Sequence, residues 1–351
     1  MSHGKNVKRI LVIRFSSLGD IILLTPLFRE IKKQFPRASL DFLTSTTFAP
    51  LCAHDPHLDH IVAFDRSSEK TEIGRIGRLI QEQKYDVILD AHYSMRSRYL
   101  LLKSLGLSYI AGRRVISIDK RSWKRNLLLA AKINLMKDAP SQREAYGKLL
   151  QAIAPDSTPE LHTELFPDDR DTARVHSILQ QFDLKGKRLV ALGPGASFQG
   201  KCWPKENFLA LSEQLSRMGC KIVILGGAED EEGEWIEAHG RHQVADFCGK
   251  LSFLETAAML SECELSVSND SAIVHFSEAM GTPSIAIFGP TVKEFGYGPF
   301  LEQSRLVDIS LACRPCSRNG KGKCHNPVQR QCLRDITVAR VLQEAMAILS
   351  L

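Results

Sequence analysis

Short apolar runs alternate with longer helical stretches along the whole chain, and this rhythm restricts the fold more than any other feature. In the first half the strand-like runs are KRILVIR (8–14), SLDFL (39–43), HIVAF (60–64), YDVILD (85–90) and YIAG (109–112). The rhythm restarts with RLVALGP (188–194), KIVILGG (221–227), VADFCG (244–249), CELSVSND (263–270) and SIAIFG (284–289). Such spacing predicts parallel strands joined by right-handed helical crossovers. Residues 154–187, with three prolines and many acids, read as a linker entering a helix. A chain of 351 residues is long for one core and comfortable for two, and we expect domains at 1–165 and 166–351, the C-terminal helix able to pack back on the first. The predicted class is α/β, with two Rossmann-like doubly wound parallel sheets facing a cleft, ligands lying at the carboxyl ends of the strands.

Composition narrows the class. With 44% hydrophobic and 25% charged residues, the chain is an ordinary globular protein without a disordered tract. The longest apolar stretches, NLLLAAKINLM among them, are interrupted by a lysine and too short to span a bilayer, and the N-terminus runs straight into a strand without a cleavage site. A cytoplasmic location without a transmembrane segment is expected. The net charge of +6 hides an asymmetry: residues 1–150 carry 26 Lys and Arg against 14 Asp and Glu, or +12, and residues 151–351 carry 20 against 26, or −6. The basic half points to an anionic surface or polymer.

Three turns at strand ends carry chemistry. RFSSLGDIILLTP (14–26) stands where a nucleotide-binding fold places its glycine-rich phosphate loop, yet it holds Asp20, which would repel a phosphate from the helix N-terminus. GPGASFQGKCWPKENF (193–208) comes within one residue of a P-loop, but Cys202 replaces the magnesium-binding Ser or Thr, and Trp203-Pro204 place the helix start near Lys205. A small-residue loop with Lys201, able to meet a phosphate without a metal, survives. SNDSAIVHFSEAMGTPSIAIFGPT (268–291) sets Asn269, Asp270 and Ser271 where a strand gives way to a helix. One of them should cap that helix, with N–H groups of Ser271, Ala272 and Ile273 left for an anion and His275 one turn further along the same face.

Together RFSSLGDIILLTPLFREIKKQFP, GPGASFQGKCWPKENFLAL, LGGAEDEE and SNDSAIVHFSEAMGTPSIAIFGPT resemble the ADP-heptose:lipopolysaccharide heptosyltransferases, glycosyltransferase family 9, over about residues 8–345. The resemblance implies the GT-B architecture, with the nucleotide-sugar donor on the C-terminal domain and the acceptor on the N-terminal one. It implies inverting, metal-independent transfer of heptose from ADP-L-glycero-D-manno-heptose to the inner core of lipopolysaccharide, on Kdo-lipid A or heptosyl-Kdo-lipid A. Asp20 becomes the expected general base. Lys201 and Ser197 are assigned to the donor phosphates, and Asp270, Ser271, Ala272 and His275 to the surroundings of the diphosphate and sugar. The loop GGAEDEE and the turn FCGKLSFLET would lie near the nucleoside. Ala272 stands where the family usually has glycine. The SSLGD turn resembles the enzyme adding the first heptose, the cysteine-rich segment the one adding the second.

An inverting transfer needs a group that takes the acceptor proton while its oxygen attacks opposite the leaving ADP, and a carboxylate on the acceptor side can do so. The basic half then suits a phosphorylated glycolipid at the inner membrane face, making the protein membrane-peripheral, with Arg96, Arg98, Arg113 and Arg114 as candidate acceptor contacts. Cys313, Cys316, Cys324 and Cys332, spaced C-x2-C-x7-C-x7-C beside His325, could bind structural zinc. The resemblance implies no metal role for them. Two alternatives stay open: a same-fold glycosyltransferase using another nucleotide sugar in envelope polysaccharide synthesis, and a non-enzymatic nucleic-acid-binding module. The second lacks an RNP, helix-turn-helix or zinc-finger pattern and leaves the acidic half without a role.

Overall fold

A computed structural model describes residues 7–106, 115–241 and 244–351. The chain forms two compact units, one of residues 1–120 with 142–166 and one of 121–141 with 167–351. Residues 121–141 therefore group with the second unit, away from the sequence around them.

The first unit holds a five-stranded sheet: β1 (Arg9–Ile13), β2 (Ser39–Ser45), β3 (His60–Phe64), β4 (Val87–Asp90) and β5 (Val115–Ser117), in the order β3-β2-β1-β4-β5. Every pairing is parallel, with Ile13 opposite Leu43 on one side and Asp90 on the other. The run YIAG (109–112) lies outside the described residues, and β5 begins just beyond it. Central β1 is buried over Ile10–Ile13 because helices cover both faces, as a parallel sheet requires. Leu11, Ile13, Phe64, Ile76, Ile88 and Leu100 belong to one core.

The second unit holds six parallel strands: β6 (Leu189–Gly193), β7 (Lys221–Ile224), β8 (Val244–Asp246), β9 (Leu265–Asn269), β10 (Ser284–Ile287) and β11 (Arg305–Val307), ordered β11-β10-β9-β6-β7-β8. Its core joins Val190, Leu192, Ile222, Val267 and Ile285 to Trp203 and Phe208. The C-terminal helix Val338–Leu349 packs within this unit, against the helix Lys205–Arg217, and contributes Val341, Ala345 and Leu349 to that core. The predicted linker is partly helical: Asp168 caps Asp169–Gln181 by accepting the N–H groups of Arg170 and Asp171. Among the described residues no helix is long and apolar enough to cross a membrane.

In both sheets the chain first runs outward one way and then returns to the other side. The reversal falls between β1 and β4 in the first and between β6 and β9 in the second. A crevice opens at the carboxyl ends of such a strand pair, because the connections on either side leave in opposite directions. The two sites below grow from these places.

Candidate active site

In the first unit the chain leaves β1 at Ile13 and enters the short helix Leu18–Ile22. Asp20, third in that helix, reaches back so that Oδ2 accepts the N–H of Ser17 at 3.3 Å and its Oγ–H at 2.8 Å. Half of a capping box is thus made by the carboxylate. Arg14 Nη2 stands 2.5 Å from the same oxygen, both side chains about nine-tenths buried. Arg14 also donates from Nη1 to the Ala91 carbonyl just past β4 at 2.7 Å, and its guanidinium lies 5.9 Å from the Tyr146 ring centre. The Tyr146 hydroxyl is 3.5 Å from Asp20 Oδ1. One carboxylate oxygen is held by a cation and a serine while the other faces a tyrosine, an arrangement that orients the group.

His92 closes the β4 side of this turn, its Nδ1 accepting the Phe15 N–H at 2.9 Å. Burial, followed by the charges of Arg14 and Lys120, pushes its pKa down to about 3. The unfolded chain takes up that proton near 6.5, so between these values the unfolded state binds more protons and stability falls as pH falls. His92→Asn, whose carbonyl can still accept from Phe15, should flatten this acid limb, each pH unit below 6.5 being worth at most about 1.4 kcal/mol. Urea unfolding near neutrality and about two pH units lower tests it. An unchanged acid slope in the variant would refute the assignment.

In the second unit the loop after β6 runs through Pro194–Phe198 to a turn at Gln199–Lys201, and the helix starts at Lys205 as the sequence predicts. Asn269, at the end of β9 and fully buried, joins this loop to its neighbour. Its Oδ1 accepts the Trp203 N–H at 2.9 Å and its Nδ2 donates to the Pro194 carbonyl at 2.6 Å. Asn269→Ala would leave a buried N–H and a buried carbonyl unsatisfied, and we expect a loss of about 2–4 kcal/mol in denaturant unfolding. A loss under about 1 kcal/mol would mean that solvent reaches both groups.

Lys201 Nζ lies 3.0 Å from Asp270 Oδ2, both side chains mostly buried. The same oxygen accepts from Thr291 Oγ1 at 2.7 Å. Thr291 follows β10 and is fixed by Arg314, which donates to the Gly289 carbonyl at 2.5 Å, to the Thr291 carbonyl at 2.9 Å and to the Ile309 carbonyl, and pairs with Asp308 at 2.9 Å. Asp270 therefore acts on Lys201, holding its ammonium at the end of the crevice. Gly320, at φ +85°, lies against the lysine stem, where a Cβ would run into Cγ and Cδ of Lys201.

Ser271, rather than Asp270, caps the helix Ala272–Ala279, its Oγ accepting the Ile273 N–H at 3.4 Å and meeting Ser268 Oγ at 2.9 Å. The expectation that the Ile273 N–H is left for an anion is corrected, because the serine takes it. Ala272 is partly exposed at the helix start, Ser197 is exposed on the lysine loop, and His275 is buried with its ring 6.5 Å from that of Tyr297. In the first unit Arg96 is engaged by Glu69 at 2.8 Å, whereas Arg98 is exposed and lies over Tyr93. Arg113 and Arg114 lie outside the described residues. Among those described, no three sulfurs of Cys313, Cys316, Cys324 and Cys332 come within 4.8 Å of one another, whereas a tetrahedral zinc site needs about 3.8 Å. The zinc reading of their spacing finds no support in this geometry. Arg14, Thr291 and Arg314 lie within stretches that the sequence singles out for other residues, and Tyr146 lies outside them.

Two doubly wound parallel-sheet units are the architecture of the GT-B glycosyltransferases, and the solved structures this chain resembles belong to that class. The chain belongs to glycosyltransferase family 9 (heptosyltransferase), whose family model matches residues 73–325. It is 27% identical to lipopolysaccharide heptosyltransferase 2 of Salmonella typhimurium, over 97% of this chain and 99% of that protein. It is also 27% identical to lipooligosaccharide heptosyltransferase 2 of Haemophilus influenzae, over 82% and 84%. The solved structure of Escherichia coli ADP-heptose lps heptosyltransferase II matches with a TM-score of 0.73 at 25% identity, covering 97% of this chain and 98% of that one. That of a family 9 glycosyltransferase from Veillonella parvula has the same fold, with a TM-score of 0.81 at 20% identity and 99% of both chains covered.

Proposed function

We propose that this chain moves a heptose, with inversion, from ADP-L-glycero-D-manno-heptose to the inner core of lipopolysaccharide, the first domain binding the acceptor and the second the donor. The observation that carries the reading is the position of Asp20 and Lys201 at the two sheet reversals, the carboxylate in the basic half and the ammonium in the acidic one. Asp20 takes the acceptor hydroxyl proton, its carboxylate oriented by Arg14 and Ser17 at Oδ2 and by Tyr146 at Oδ1. The freed oxygen attacks the anomeric carbon as the bond to the diphosphate breaks and ADP leaves. Lys201 neutralises charge growing on the diphosphate, helped by the N-terminus of the helix that Ser271 caps. With a protein cation in that role, transfer is expected to persist in EDTA.

Ser197, Ala272 and His275 would line the donor, and Arg98, with Arg113 and Arg114, would meet acceptor phosphates at the cytoplasmic face of the inner membrane. The relatives named heptosyltransferase 2 favour addition of the second heptose. A thermal-shift panel of ADP-, UDP- and GDP-sugars tests the donor, because a ligand that binds only the folded state raises apparent stability. Selective stabilisation by ADP-heptose is expected. Preference for a UDP- or GDP-sugar would move the chain to another nucleotide sugar.

A further inference from the structure

The helix Met95–Leu105 of the first unit has two unlike faces. Ser97, Leu100, Leu101 and Ser104 are buried on the side that packs against the helix Glu69–Gln83. Outward, Met95 is 89% exposed, Tyr99 55% and Leu102 45%. Steps of four and three residues put these side chains on one stripe, each a turn above the last. Exposed Arg98 and Lys103 flank that stripe on either side, and the helix contains no carboxylate. Single exposed apolar residues are ordinary on a folded surface, but a contiguous apolar stripe set among cations marks an interaction site.

We propose that this face docks the protein on an anionic lipid bilayer. Met95, Tyr99 and Leu102 enter the boundary between headgroups and acyl chains, while Arg98 and Lys103 extend their stems along the apolar surface and meet lipid phosphates. Charge complementarity selects this occupant. Residues 1–150 carry +12, so a second copy docking on the same face would set like charges together, whereas an anionic leaflet opposes them. The inference rests on the proposed glycolipid acceptor and adds the surface by which the enzyme would reach it.

The test is co-sedimentation of the full chain with sucrose-loaded vesicles of phosphatidylcholine, with and without phosphatidylglycerol. Wild type should partition onto the anionic vesicles, and M95S/Y99S/L102S should do so about tenfold more weakly. Raising salt from about 0.1 to 1 M should weaken the wild type as well, because the screening length falls from about 10 to 3 Å. The triple variant should keep its melting temperature and its transfer to a lipid-free acceptor oligosaccharide, since none of the three residues belongs to the proposed site. Should the triple variant melt early, Met95→Ser alone gives the same comparison at the most exposed position. Equal partitioning of variant and wild type, or no partitioning of wild type, overturns the proposal. So does a concentration-dependent dimer in sedimentation velocity that the variant abolishes, which would assign the face to self-association. Failure of transfer from ADP-heptose to the soluble acceptor would count against the proposed reaction and leave the vesicle result standing.

Discussion

Asp20→Asn lowers single-turnover transfer about 100-fold or more while ADP still binds, because an amide keeps the size of the carboxylate but cannot take the acceptor proton. Stability should also fall, by roughly 1–3 kcal/mol, since Arg14 is almost fully buried and loses its counter-charge at 2.5 Å. The two effects come apart in R14M/D20N, where removing the stranded cation should recover part of the stability and none of the rate. Single-turnover kinetics with a heptosyl-Kdo-lipid A acceptor, beside melting curves for both variants, reads the two quantities. Near-normal turnover in Asp20→Asn would reduce Asp20 to a partner of Arg14 and a brace for the turn.

The second large effect is expected at Lys201, and there the two halves of one ion pair should respond unequally. Lys201→Ala removes a charge-assisted contact to the diphosphate and should raise the Kd for ADP about tenfold or more in calorimetry. Asp270→Asn removes a negative charge 3.0 Å from the ammonium, so ADP should bind no more weakly than to wild type. Equal weakening in both variants would show that the pair supports the loop without presenting a cation to the ligand.

Much of the scaffold was legible because parallel strands buried on both faces must be apolar along their length. The run 39–43 lies inside Ser39–Ser45, the run 284–289 contains Ser284–Ile287, and His60–Phe64 matches residue for residue. β11 escaped because Arg305–Val307 is a three-residue edge strand that opens on an exposed arginine. Asp20 and Lys201 stood out as departures from the phosphate loops expected at their turns, and Asn269–Ser271 as the point where a strand gives way to a helix; the roles given to them remain proposals. Their partners did not stand out. Tyr146 lies 126 positions from Asp20, Thr291 lies 21 from Asp270, and only the folded units bring them together. The cap fell to Ser271 instead of Asp270 because the carboxylate was already drawn to Lys201 and Thr291, a competition that no window of local sequence displays.

Gly320 gives the lysine loop a property that a contact diagram would miss. A free lysine has four rotatable bonds, and a ligand that immobilises it must offset the entropy of that freedom. Here the backbone of the cysteine-rich segment lies so close to the Lys201 stem that even a methyl group has no room between them. Arg330 ties the same segment to the Gln199 carbonyl at 3.1 Å. Much of the ordering of Lys201 has then been completed during folding, before any diphosphate arrives. A remote, irregular stretch of chain works as a splint for a single flexible side chain, so, with Lys201 in its proposed role, changes in that stretch should register as altered nucleotide affinity without touching the nucleotide.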